Sequence, residues 1–215
     1  ANLNYYRTLI KPETKIMAMV KAFSYGSGTY EIARHLESLG VHYLAVAYAD
    51  EGVELRKKGV KLPILVLNPE PSAFSSIVEN NLEPEMYSLS LLRKFKSYLD
   101  RVEIENYPIH IKLDTGMHRL GMETSEIQAL TIELTSSKYF QVKTIFSHLA
   151  ASDSETQDSF TKLQIQKLKE SADLISAAIG YQPLRHICYT AALGRFPEAH
   201  LDMVRLGSGL YGISS

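Results

Sequence analysis

One cysteine, Cys188, is all that 215 residues contain. No internal disulfide can form, and a reducing compartment is expected. The chain also lacks an excess of either charge, with 23 Lys plus Arg against 24 Asp plus Glu and a net charge of -1. Nucleic acid and anionic membrane surfaces select basic chains, so neither is an expected partner. No apolar run reaches membrane-span length, and Ala1-Asn2-Leu3-Asn4 is not a signal peptide. The histidines and the cysteine show no HxH, HExxH or CxxC spacing, so no metal site is expected. What remains is a cytoplasmic enzyme domain. Its start inside a helical pattern (Leu3, Tyr6, Leu9, Ile10) reads as a cut from something longer.

What is present is an alternation. Short β-branched or aliphatic runs occur at Ile16–Lys21, Tyr43–Ala47, Ile64–Asn68, Glu83–Ser88, Ile109–Asp114, Val142–His148, Leu184–Thr190 and Met203–Gly207. Between most of them lie stretches of helical spacing: Ile32 to Leu39, Val53 to Lys58, Leu91 to Tyr98, Ile127 to Leu134 and Phe160 to Ile179. Gly40, Gly59 and Gly180 stand where helix C-caps fall. Strands alternating with helices predict a parallel α/β architecture. Eight strands in this length fit a (β/α)8 TIM barrel, and a doubly wound sheet shares the same pattern. The run with Pro84 inside it is the least strand-like of the eight.

Barrel enzymes build their sites at the C-terminal ends of strands. Here those ends carry Lys21, Lys112 with Asp114, His148, Tyr189-Thr190, and Arg205 followed by Gly207-Ser208. Any one charged residue of this kind can snorkel to the rim. Together they describe an amine, an imidazole, two guanidinium candidates (Arg119 and Arg205) and small residues after strands 7 and 8, where barrels commonly hold a phosphate. Lys21, backed by Ile16, Met17, Met19 and Val20, is expected to be partly desolvated, and a neutral amine forms Schiff bases. Gly116 and Gly121 flank Arg119 and suggest a backbone that approaches something closely, or a tight loop with solvated charges. On its own, His148 reads as a satisfied core or rim histidine sooner than as a ligand. A competing dinucleotide reading, Tyr25-Gly26-Ser27-Gly28 with Asp50 on the next strand, is opposed by Glu31, whose carboxylate would repel a pyrophosphate.

Two long segments then carry a resemblance. Met19-Val20-Lys21-Ala22-Phe23-Ser24-Tyr25-Gly26-Ser27-Gly28 resembles the cofactor-lysine motif of the alanine racemases, V-K-A-N-A-Y-G-H-G. Lys112 through Gly121 resembles their K-x-D-T-G-M-x-R-L-G segment, and His148, His186 to Ala192 and Asp202 to Gly207 follow in the family's order. The resemblance runs from Leu3 to Ile213 and implies a pyridoxal-phosphate-binding (PLP-binding) barrel over residues 1–215, without the family's C-terminal β-domain. It implies that Lys21 is the PLP lysine and one of two acid/base groups at the substrate Cα. Tyr25, Thr190, Gly207 and Ser208 would hold the phosphate, and Arg119 would donate to the phenolate oxygen. Lys112, often a carbamate in the family, would orient Arg119. His148 would pack near the pyridine ring and bond toward Arg205, which faces the ring nitrogen. A permanently protonated guanidinium can only donate to the ring nitrogen, which stays unprotonated and is a weaker electron sink, so reprotonation at Cα is favoured over transamination.

The resemblance further implies the interconversion of L- and D-alanine for peptidoglycan, and a homodimer in the full-length protein. Tyr189, Thr190, His118 and Ser208 depart from the usual Asn, Ser, Gly and Ile. The Phe23-Ser24 and Ser27 variations resemble racemase domains fused to a cell-wall ligase. The family's second base, a tyrosine, belongs to the absent β-domain, so one proton donor is expected outside this chain. Other readings of the same barrel are a single-barrel PLP carrier without turnover, a scaffold half of a ligase fusion, and a racemase of serine or broad specificity.

Overall fold

The structure is a computed structural model that describes residues 2–21 and 29–212. Eight strands are hydrogen-bonded in parallel: β1 (Lys15–Met19), β2 (Tyr43–Val46), β3 (Ile64–Val66), β4 (Glu83–Met86), β5 (Tyr107–Lys112), β6 (Phe140–Phe146), β7 (Leu184–His186) and β8 (Met203–Leu206). Their order is β7-β6-β5-β4-β3-β2-β1-β8. All eight expected strands are present. The chain divides into two compact units, Ala1–Pro84 with Cys188–Ser215, and Glu85–Ile187.

In the first unit, β1 pairs with β8 on one side and β2 on the other, and β3 follows β2. Strands β2, β3 and β8 are buried at every residue, as is the centre of β1. Burial on both faces is why these segments are nearly continuous apolar runs. Helices α1 (Asn2–Thr8), α2 (Thr29–Ser38), α3 (Ala49–Lys57) and α4 (Phe74–Glu79) belong to this unit. The Glu51 carboxylate accepts the N–H groups of Ala47 and Tyr48 at 2.6 and 3.1 Å, which starts α3 directly after β2. The Arg56 guanidinium donates to the carbonyls of Val60, Leu62 and Asn80 at 2.8, 2.7 and 3.0 Å, tying together the turns that follow α3 and α4. Gly40 and Gly59 have φ of +73° and +90°, the left-handed conformation expected just past a helix.

In the second unit, Glu85 and Met86 of β4 pair with β5, β5 with β6, and β6 with β7. Helices α5 (Leu89–Arg101), α6 (Ile127–Thr135) and α7 (Asp158–Ile179) complete it. Ser88 caps α5 by accepting the Leu91 N–H at 3.2 Å. Because side chains alternate along a strand, Glu85, His110, Lys112, Thr144, Phe146 and His186 occupy alternate positions, and all six are buried. Five of the six are polar or charged, so this unit carries a polar layer across its strands. The Thr144 hydroxyl lies 2.8 Å from His110 Nδ1 and 3.1 Å from His186 Nε2. The Phe146 ring stacks on His186 with centroids 4.6 Å apart.

Candidate active site

In the first unit the expected residues lie just beyond β1, in the segment from Cys188 to Thr190, and on and just beyond β8. Lys21 lies two residues beyond β1 and is half-buried, with no hydrogen bond or ion pair among the described residues. The Tyr211 hydroxyl donates to the Met19 carbonyl at 2.9 Å. Arg205 of β8 is 5% exposed, pairs in register with Met17, and donates its N–H to the Cys188 carbonyl at 3.0 Å. That backbone link carries the chain after β7 alongside β8, so Thr190 meets Gly207: the Gly207 N–H donates to the Thr190 hydroxyl at 3.0 Å. An oxygen that accepts this bond keeps its own proton for another acceptor. Ser208 follows, half-buried at the start of a short 3-10 turn that runs to Tyr211. Gly209 is fixed by packing, since a Cβ there would overlap the Tyr6 hydroxyl and the Thr190 methyl. Tyr25 lies outside the described residues. Burial pushes the Cys188 thiol up to about 12, so it is no nucleophile at neutral pH.

In the second unit the loop after β5 is closed by backbone pairing of Lys112 and Asp114 with Met122, through two hydrogen bonds of 2.9 Å. Asp114 organises its start, accepting the N–H groups of Gly116 and His118 at 2.8 and 3.2 Å. The close approaches suggested by the two glycines are to the protein itself. Gly116, at φ +136°, faces the Phe160 ring of α7, and Gly121, at φ +134°, lies against the Leu113–Asp114 backbone. His118 has φ +53°, a left-handed conformation that explains why glycine suits this position in the resembling sequences. Arg119 is exposed and makes no hydrogen bond or ion pair among the described residues. The expected contact between Lys112 and Arg119 is not made. Lys112 Nζ instead lies 3.3 Å from Glu85 Oε1, as two cations repel and a buried ammonium takes the nearest carboxylate. His148 is half-buried two residues beyond β6, and its carbonyl accepts from Gln164 of α7 at 3.1 Å.

Glu85 is the residue the sequence reading passed over. Its signal was there, a carboxylate two residues after Glu83 in a strand bounded by Leu82 and Met86.

An amine, two hydroxyls and a buried guanidinium at the ends of parallel strands fit a phosphate-bearing aldehyde: the hydroxyls suit the phosphate and the amine suits the carbonyl. Among the described residues, no group of three or more His, Cys, Asp or Glu could hold a metal ion, and no helix is long and apolar enough to cross a membrane. Fold and site together define an enzyme domain of the (β/α)8-barrel class. The family described as alanine racemase, N-terminal domain, matches residues 1–215, and the chain belongs to that family. Alanine racemase 2 of Bacillus subtilis is 38% identical over 215 residues, with 99% of this chain and 54% of that protein covered. Alanine racemase 1 of Oceanobacillus iheyensis is 34% identical over 214 residues, covering 99% and 56%. The solved alanine racemase of Clostridium difficile superposes with a TM-score of 0.92 at 34% identity, covering 99% of this chain and 59% of that one. The chain thus spans about half the length of the curated relatives it matches.

Proposed function

We propose that this chain is the PLP-binding barrel of a racemase that interconverts L- and D-alanine, acting in the cytoplasm to supply D-alanine for peptidoglycan. The observation that carries this reading is the parallel pairing of β1, which leads to the half-buried Lys21, with β8, which leads to the Gly207 N–H bonded to the Thr190 hydroxyl. Membership of the alanine racemase family supports it.

PLP, when bound, supplies an aldehyde for amine chemistry and a ring that withdraws electrons from the substrate Cα. Lys21 takes and returns a proton at Cα from its own face. Thr190, Ser208 and the Gly207 backbone, with Tyr25, hold the phosphate, and the Thr190 proton left free by the Gly207 bond is the donor aimed at it. The Arg205 guanidinium has only donors to offer, so a ring nitrogen facing it would accept a hydrogen bond and stay unprotonated. Arg119 donates to the phenolate oxygen, and His148 packs beside the ring. Racemisation needs a second proton donor on the opposite face, and we assign it to a part of the homodimeric full-length protein beyond this chain.

The test is D-alanine formation from L-alanine by the full-length protein, read by chiral chromatography. Loss of the Lys21 acid/base group should lower turnover by at least roughly 10²–10⁴-fold. A full-length protein that binds PLP yet racemises neither alanine nor serine would replace this reading with that of a PLP carrier.

A further inference from the structure

In the second unit, one side chain of α7 reaches both loops that carry expected site residues. Gln164 is buried, at 0% exposed. Its Nε2 donates to the His148 carbonyl at 3.1 Å and to the Thr115 hydroxyl at 3.3 Å, and its Oε1 accepts the Ala150 N–H at 3.0 Å. These partners fix which way the amide lies, since a carbonyl only accepts and an N–H only donates. The Thr115 hydroxyl stands in turn 2.8 Å from that of Ser147, a direct link between the same two loops. One helical turn earlier on the same face, Phe160 closes on Gly116, where a Cβ would lie 2.9 Å from the ring.

The position asks for two donors and an acceptor on one uncharged group. Asparagine carries that group one methylene too short. Glutamate keeps the acceptor for Ala150 but turns a carboxylate oxygen toward the His148 carbonyl, and leucine offers none of the three bonds.

We propose that Gln164 is a positioning residue of the site, whose amide clasps the loops after β5 and β6 so that Arg119 and His148 are presented together. This rests on the racemase reading, which gives Arg119 the phenolate oxygen and His148 the ring. Arg119 is exposed and makes no hydrogen bond among the described residues, so the backbone that carries it sets its direction. Gln164 holds that backbone's loop at Thr115. It holds His148 at its own carbonyl and again at the Ala150 N–H, on either side of the buried Leu149. Groups held in place beforehand spare the cofactor the cost of ordering them.

The test uses the full-length protein and two readouts. Without cofactor, Gln164→Leu should speed hydrogen exchange in segments 115–119 and 148–151 and leave that of β5 and β6 as in the wild type. Unchanged exchange in both segments overturns the clasp. With PLP, absorbance titration follows the same substitution in two backgrounds. Gln164→Leu should weaken PLP binding roughly tenfold in the wild type, and by less than about threefold where Arg119→Ala and His148→Ala are already present. Equal losses in the two backgrounds would reduce Gln164 to a stabilising residue and overturn its positioning role. Should the leucine variant fail to fold by circular dichroism, Gln164→Glu, which lacks both donors, takes its place in the PLP titrations. A wild type that binds no PLP overturns the racemase reading and the positioning role with it, whereas equal losses in a protein that binds PLP overturn the positioning role alone.

Discussion

The Gly207 N–H and the Thr190 hydroxyl are 3.0 Å apart, and this bond ties the segment after β7 to the segment after β8. A side chain that keeps the oxygen keeps both the tie and the proton proposed for the phosphate. Thr190→Ser is expected to bind PLP as the wild type does. Thr190→Val loses a hydrogen bond to a charged group, worth about 1.5–3 kcal/mol, and its PLP affinity should fall by roughly tenfold or more. Titration of PLP absorbance measures both, and equal affinities for the Val and Ser variants would contradict the assignment.

Gly121 sits at φ +134°, and a Cβ built there would lie 2.6 Å from the Leu113 carbonyl carbon and 2.5 Å from the Asp114 nitrogen. Those atoms are backbone in the paired Leu113–Met122 return and have no rotamer with which to yield. Gly121→Ala should therefore destabilise the fold by roughly 1–3 kcal/mol, read from the urea midpoint. An unchanged midpoint would mean that the loop after β5 is not built as described.

Lys112 and Glu85 should also be coupled in stability. Breaking a buried pair strands a charge, so Lys112→Met alone and Glu85→Leu alone are each expected to cost about 3–5 kcal/mol. The double variant strands none and should cost clearly less than the sum. Additive single effects in denaturant unfolding would show that the pair carries no coupling.

His42 Nδ1 accepts the Ile16 N–H at 3.1 Å, which requires that nitrogen to be unprotonated. Burial first, then the charges of Lys15 and Arg7, hold the imidazole below its ordinary value of 6.5. Between the folded and unfolded values the unfolded chain binds more protons. This contribution is therefore fully present above the unfolded value and is lost as pH falls through it toward the folded one. Replacing His42 by Asn, whose amide oxygen can accept the same N–H, should flatten the decline in Tm between about pH 7 and 5. Identical pH slopes for the two proteins would remove His42 from the acid sensitivity.

The strands were legible because strands buried on both faces are written as apolar runs. Their ends were not. β3 and β7 stop at Val66 and His186, short of the expected Asn68 and Thr190, although the Leu67 and Asn68 N–H groups still donate to the Val46 and Ala47 carbonyls. Helix α4, six residues behind Pro71, is too short to establish a period. Lys21, Thr190 and Gly207 were legible as strand-end chemistry, and the pairing of β1 with β8 brings the ends of those two strands side by side. The Lys112–Glu85 pair was not legible. It depends on the register between β4 and β5, and nothing local to either strand encodes which residue of one faces which of the other. The family resemblance implies that Lys112 orients Arg119, whereas unmodified Lys112 lies against Glu85 and Arg119 is exposed.

The most direct test of Lys21 as the cofactor lysine is to mix the protein with PLP and follow the visible absorption band, with Lys21→Ala alongside. A band that borohydride traps on the peptide containing Lys21, and that is missing from the variant, is the expected result. A variant with the same trappable band, or a folded wild type with none, would contradict the assignment.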